Sequence, residues 1–368
     1  MTEGALEDEL ALEASDLEGG CFEDAHGQRV RVVLGGFAVA LGLGALASAA
    51  TGAVSISPAQ TLAVLAGALG LEDAAWASVT DQQRAVLLSI RLPRVALGAV
   101  VGAGLAASGA VLQGLFRNAL ADPALVGVSS GSALGAAVAI VLGLGVLGPG
   151  AVAVAAFAGG LAMTAVVYQI GTHRGQTSVT TMLLAGIAVN ALCGAGIGAL
   201  ILFADDGQLR DLTFWTLGSL GGATWATVGV TALSVAVALA ATPWLARSLD
   251  AMLLGEAEAG HLGVRTQRVK GVAVTLAALA VAVATAAAGL IGFVGLVGPH
   301  VVRLLLGPGH RVLLPGAALA GAALVVGADL ASRIVLAPQE VPIGIVTALV
   351  GAPFFLWLLL RERPETFG

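Results

Sequence analysis

Residues 112–137 read LQGLFRNALADPALVGVSSGSALGAA, and the fold turns on what this stretch is. Arg117, Asn118, Asp122 and Pro123 interrupt two apolar runs, and Gly127-Val128-Ser129-Ser130-Gly131 formally matches the G-x-S-x-G elbow of a hydrolytic nucleophile. That elbow requires a strand feeding a helix. Here the flanking runs have helical length, and Ser129 stands among Gly127, Gly131 and Gly135, whose four-residue spacing lets membrane helices approach closely. Pro123 disfavours helix at Asp122 and starts a new one well. The stretch reads as helix, polar turn, helix, with no nucleophile.

Working outward, the 368 residues are 58% hydrophobic and 11% charged, with a mean hydropathy of +0.96. A soluble domain has about 25% charged residues, so most of this chain's exterior must face lipid. Nothing charged, histidine aside, lies between Asp122 and Arg174, Arg174 and Asp205, Asp211 and Arg247, or Lys270 and Arg303. With about 20 apolar residues per membrane helix, the pattern predicts an all-α membrane protein of about ten transmembrane helices. The spans fall near 31–53, 88–115, 124–142, 147–171, 178–203, 224–246, 269–290, 295–306, 312–335 and 342–361. The residues around 214–220 suit a half-helix at the membrane face, and Gly148-Pro149-Gly150 a tight turn. Residues 31–362 thus form a single transmembrane domain. Gly98/Gly102 and Gly194/Gly198 repeat the small-residue spacing.

Charge is distributed unevenly. Residues 1–31 hold nine acids against Arg29 and Arg31, and composition predicts that residues 1–30 are a disordered, solvated cytoplasmic tail. With the amino terminus inside, ten spans place twelve Lys and Arg on the cytoplasmic side and five outside (Arg84, Arg91, Arg94, Arg210 and Arg333). The positive-inside rule accepts that topology, with both termini in the cytoplasm, and rejects its inverse. The outer arginines then need an explanation of their own.

Several chemistries are missing. The single lysine, Lys270, follows Thr266-Gln267-Arg268-Val269, so there is no phosphate-binding G-x-x-x-x-G-K-[ST] loop. The five histidines are scattered without metal-ligand spacing, Cys21 and Cys193 lie in unlike environments, and no catalytic or metal-binding residue is assigned. No chain of buried carboxylates suggests a proton-driven secondary transporter; the one clear intramembrane acid, Asp329, has Arg333 four residues on, on one helix face. The energy source of such a pathway protein must lie in another chain. Residues 247–270, RSLDAMLLGEAEAGHLGVRTQRVK, are the longest hydrophilic interruption after the tail. Asp250 can cap one short helix carrying Met252, Leu253 and Leu254, ended at Gly255; Glu256, Ala257, Ala259 and Leu262 suit a second, stopped at Gly263. An apolar-faced pair of short helices is a docking feature for another subunit.

The runs RLPR (91–94), GLAASGAVLQGLFRNALADPALVGVSSGSALGAA (104–137), LLAGIAVN (183–190), FWTLGSL (214–220), LLGEAEAGHLGV (253–264), GLIGFVGLVGPHVVRLLLGPGHRVLLPGAALAGA (289–322) and VPIGIVTALVGAPFFLWLL (341–359) together resemble the permease subunits of ABC importers for iron complexes and cobalamin (FecCD/BtuC-like). Ala119 departs from that pattern, which has proline after Arg-Asn. The resemblance implies two inverted halves, 88–203 and 269–361, and a homodimer in the cytoplasmic (inner) membrane with the pathway along its axis. Two ATPase subunits that bind ATP and Mg would sit at the cytoplasmic face, and a substrate-binding protein would dock outside. This chain would hold no cofactor itself, bind no nucleic acid and catalyse no reaction. Residue by residue, the resemblance implies that Arg91, Arg94 and Arg333 receive acidic groups of the binding protein. It places the ATPase coupling surface at Leu253, Leu254, Gly255, Glu256, Ala259, Gly260, Leu262 and Gly263, and a cytoplasmic gate at Thr177, Ser178, Thr180 and Thr181. Residues 208–225 and 307–322 look most like the haem branch, with ferric-siderophore and cobalamin permeases as alternatives.

Overall fold

A computed structural model describes residues 3–68, 78–148 and 150–361. The deciding turn forms as follows. Helix α4 (Leu92–Phe116) ends where Arg117 takes a left-handed conformation, φ 50°, and Asn118 N–H reaches back to Gln113 O at 3.0 Å. That closure satisfies carbonyls that a helix end leaves without partners. Asp122 then accepts a 2.8 Å hydrogen bond from Ala124 N–H, Pro123–Val126 makes a 3₁₀ turn, and α5 (Val128–Val141) begins after Gly127 at φ 80°. Burial pushes the Asp122 carboxyl above its ordinary range, while the Ala124 hydrogen bond pulls the other way. Ser129 lies in the first turn of a helix. The Ser130 hydroxyl is engaged with Asn190 Oδ1 at 2.6 Å, so the elbow motif is a helix start and no strand precedes it.

The other elements follow from the same apolar runs. Ahead of α4 come α1 (Glu3–Ala50), α2 (Pro58–Ala68), α3 (Asp81–Val86) and a π turn, Leu87–Arg91. After α5 come a 3₁₀ turn (Leu144–Leu147), α6 (Ala151–Gly171), a hairpin of β1 (Thr172–His173) and β2 (Gln176–Thr177), and α7 (Val179–Ile201). Then follow α8 (Asp206–Leu217), α9 (Trp225–Ala240), α10 (Thr242–Leu253), α11 (Glu256–His261), α12 (Thr266–Ala288), α13 (Val294–Leu306), α14 (His310–Ile334) and α15 (Ile343–Arg361). Six helical stretches are long and apolar enough to cross a membrane; α9 with α10, bent by 47°, makes a seventh, and α5, α13 and α15 are shorter apolar helices. Each of the ten expected spans therefore has a helix.

In lipid the helices associate by packing rather than by exclusion of water, so glycine contacts decide the arrangement. The central helix is α4, whose apolar window is 78% buried, against 11% in α1 and 22% in both α6 and α7. It crosses α14 so closely that a Cβ on Gly102 would stand 2.2 Å from Gly321 O. Likewise α5 meets α6 where a Cβ on Gly135 would stand 2.1 Å from Ala155 O. Gly194 and Gly198, expected to serve the same purpose, have nothing within 4 Å, so their face of α7 points away from the chain's own body.

Three expectations change. The acidic segment 1–30 is helical from Glu3: its Glu, Ala and Leu are strong helix formers, and acids suit a helix amino terminus. The half-helix near 214–220 starts earlier, at Asp206, where Asp205 and Gln208 form a capping box. Asp250 does not begin a helix but sits in the last turns of α10, because the span continues past its bend. Of the Gly148-Pro149-Gly150 turn, Pro149 lies outside the described residues, as do 1–2, 69–77 and 362–368.

Candidate functional site

Polar side chains gather at the two ends of the helix body. At one end α4 begins, α1 and α14 finish, and α15 starts. Arg94 Nε donates to Asp329 Oδ1 at 2.9 Å, and its two Nη atoms grip the Glu340 carboxylate at 3.0 and 2.9 Å. Arg333 Nε lies 3.2 Å from Asp329 Oδ2, the helix-face pair expected from their spacing. Its Nη1 donates to Thr51 O at 3.0 Å and its Nη2 to Ser48 O and Ser48 Oγ. Asp329, buried to 2% exposure, thus holds two arginines from two helices, an arrangement in which buried charge is tolerated because it is paired. A cavity of about 250 Å³ adjoins this cluster, lined in part by Arg94, Asp329, Glu340, Phe214 and Ser219.

Arg91 is different. It is 5% exposed, with Nη1 donating to Ala49 O and Ala50 O at 2.8 Å each and Nη2 to Val54 O. These are the orphan carbonyls at the end of α1 and just beyond it. The structure therefore brings Arg94 and Arg333 together on Asp329, whereas the Arg91 guanidinium closes the end of α1. Arg91 and Arg94 are three residues apart, but Arg91 ends the π turn and its side chain is taken by α1.

At the opposite end, α11 is the second of the two short helices foreseen at 247–263, and the place of the first is taken by the end of α10. Gly255 (φ 124°) and Gly263 (φ 83°) break the chain in conformations that disfavour other residues. Ala259 is α11's buried residue, whereas Leu253, Leu254, Gly260 and Leu262 are exposed, Leu254 and Leu262 by about two thirds. Asp250, not a cap, accepts from both the backbone N–H of His310 (2.9 Å) and its ring Nδ1 (2.7 Å), tying α10 to the start of α14. Gln113 bridges α4 to α13, donating to Gly295 O at 3.1 Å and accepting from Arg303 at 2.8 Å.

Of the expected gate residues, Thr177 ends the hairpin and the other three follow it. Ser178 caps α7 by accepting from Thr181 N–H at 3.3 Å, and Thr181 Oγ1 also reaches Ser178 Oγ. Thr180 is exposed and Thr177 buried. Two of the four hydroxyls are thus spent on starting a helix. Thr177 receives Lys270 on its carbonyl (2.6 Å) and gives its N–H to Gln267 Oε1 (2.8 Å). Lys270 also meets Glu256 at 2.7 Å. Sequence reasoning missed Glu340, Ser48, Gln113 and Gln267 as partners; the one available signal was that Lys270 is the only lysine.

The model of the FecCD transport family matches residues 40–361. The chain is 42% identical over 344 residues to a hemin transport system permease of Yersinia pestis, covering 92% of this chain and 98% of that one. It is 46% identical over 286 residues to a cobalamin import permease of Halobacterium salinarum, covering 77% and 76%. A vitamin B12 import permease of Escherichia coli is 40% identical over 308 residues, covering 83% and 92%. Among solved structures, an inward-facing conformation of an ABC transporter assigned to the metal-chelate type superposes with a TM-score of 0.78 at 31% identity, over 89% of this chain and 99% of that one.

Proposed function

The chain belongs to the FecCD transport family and is an ABC importer permease; from that premise we propose that it carries haem inward as a homodimer, driven by two separate ATPase subunits and fed by a substrate-binding protein outside. The observation that carries the partner assignment is the α10–α11 pair, which presents Leu253, Leu254 and Leu262 beyond the membrane-spanning body. Exposed leucines at a water-facing end mark a contact with another protein. The same end holds Arg117, Arg174, Lys270, Arg303 and Arg311, so the charge bias assigns it to the cytoplasm. Arg94 and Arg333 then face outside, where Glu340, 52% exposed, already holds Arg94 as an acidic group of a binding protein would.

Haem is favoured because the similarity to the hemin permease covers 92% of this chain and 98% of that one. The pathway of such a permease should bind its cargo weakly, and the Ala, Gly, Ser and Thr of these helices suit that better than an axial ligand would. Cobalamin is the second reading, favoured by the 46% identity to the archaeal permease over a shorter stretch. A ferric siderophore is the remaining cargo of the same family, and an ion-driven secondary transporter the reading from another class. The test is ATP hydrolysis and uptake in proteoliposomes containing the permease, its ATPase and its binding protein. Haemin should stimulate both. Stimulation by cyanocobalamin or a ferric siderophore, with none by haemin, reassigns the cargo; uptake driven by an ion gradient without ATP removes the importer reading.

A further inference from the structure

We infer that Lys270 is the positioning residue that locks the ATPase-facing helix α11 to the hairpin ahead of the gate segment, so that the two move as one unit. The inference deepens the proposed function and rests on its assignment of α11 to the ATPase and of residues 177–181 to the gate. Lys270 lies one turn into α12 and is 1% exposed. Its ammonium meets the Glu256 carboxylate on α11 at 2.7 Å and donates to Thr177 O on β2 at 2.6 Å. Gln267, one turn earlier on α12, accepts from the N–H of that same Thr177 at 2.8 Å. Both backbone groups of Thr177 are thus held by side chains of α12, while the Thr177 hydroxyl pairs across the hairpin with Thr172 at 2.9 Å. Among the described residues, the Glu256–Lys270 contact is the one side-chain hydrogen bond or ion pair that joins α11 to any other element.

Burial gives that contact its mechanical sense. An ammonium withdrawn from water is tolerable only while its partners stay in place. Moving α11 away from the hairpin by more than the slack of a hydrogen bond would part Lys270, itself 1% exposed, from its carboxylate partner, whose side chain is 40% exposed. Displacing α11, Lys270 and Thr177 together costs no such separation. Gly255 and Gly263, at positive φ on either side of α11, supply the bends about which it can shift. The hairpin is the short connection between α6 and α7, so its displacement is delivered to the amino-terminal end of α7.

The test uses the complete transporter in proteoliposomes, with cargo uptake and ATP hydrolysis read in parallel. The probe is whichever of haemin, cyanocobalamin or a ferric siderophore the wild type transports. Lys270→Met should still insert and copurify its ATPase and still hydrolyse ATP, but should move severalfold fewer cargo molecules per ATP, because the link between α11 and Thr177 is then gone while Glu256, 40% exposed, stays solvated. Lys270→Arg should recover part of the ratio, and Glu256→Gln should lower it without adding to the loss in Lys270→Met. An unchanged ratio in Lys270→Met overturns the link. Should that variant not fold, the wild type decides: the chain has one lysine, so acylation by an amine-reactive ester is read on the Lys270 peptide by mass, apart from the amino terminus and the partner subunits. Lys270 should stay protected both without nucleotide and with ADP and vanadate trapped after ATP hydrolysis; labelling that rises severalfold on trapping shows that it lets go and overturns the link. A wild-type permease that copurifies no ATPase removes the proposed function itself, and the link with it.

Discussion

At the scale of single residues, three arginines that share one end of the molecule do different work. Arg91 is buried against the carbonyls of Ala49, Ala50 and Val54. Arg91→Leu should therefore lower stability by about 1–3 kcal/mol, the cost of leaving buried acceptors unpaired, read as a lower Tm in detergent, with binding-protein affinity unaffected in the molecules that fold. Arg94 shares Asp329 with Arg333 but gives its outer face to the half-exposed Glu340. A carboxylate brought by a binding protein must compete with Glu340. Arg94→Gln should weaken binding-protein affinity and reduce its sensitivity to salt, whereas Glu340→Gln should strengthen it. Equal affinity for wild type and both variants in a purified pulldown would remove Arg94 from the docking surface.

At the scale of elements, close backbone contact replaces the hydrophobic effect as the source of order. Gly102 on α4 and Gly321 on α14 occupy reciprocal positions, each within reach of the other's carbonyl. Gly102→Val should force the central helix pair apart at a cost of about 3 kcal/mol, measured as loss of thermal stability, while the nearby exposed surface is unchanged. The α10–α11 pair makes the opposite kind of contact, outward. Leu254→Glu with Leu262→Glu changes only exposed positions, so membrane insertion should be unaffected while copurification of the ATPase is lost. Retained copurification would make these helices a solvated loop. Gly260 has open space around it, so a bulky residue there should act on the partner and not on the fold.

For the whole molecule, the informative surface is α7. Leu184, Ile187 and Leu192 are each more than half exposed, and a Cβ on Gly194 would meet nothing within 4 Å among the described residues of other elements. Lipid or, in the proposed homodimer, a second copy must cover this face. Gly194→Trp should leave protomer stability within about 0.5 kcal/mol, as expected for a surface change, yet shift the detergent-solubilised permease from dimer to monomer on a sizing column. A dimer that persists assigns the face to lipid.

The helical body was legible in the sequence because a bilayer leaves the backbone almost no alternative. Apolar runs of span length must satisfy their own hydrogen bonds, so each becomes a helix, and punctuation such as Arg117–Pro123 or Gly255 and Gly263 marks where one stops. The same reasoning located the short helix α11 between Gly255 and Gly263, and spacing alone paired Asp329 with Arg333. Other features depended on residues distant in the chain and carried no local signal. Arg91 and Arg94 look alike in RLPR, and only the position of α1 separates a helix-end clamp from an outward-facing charge. Asp250 looked like a helix start until α10 ran through it and brought it to His310. Lys270 carried a signal only in being the one lysine; that it grips Glu256 and Thr177 together was decided by the packing of α11, α12 and the hairpin. Sequence pattern determines which segments leave water, because that choice is local. The pairing of the few charges that leave with them is decided by tertiary structure, because a buried charge must find its partner wherever the fold has put one.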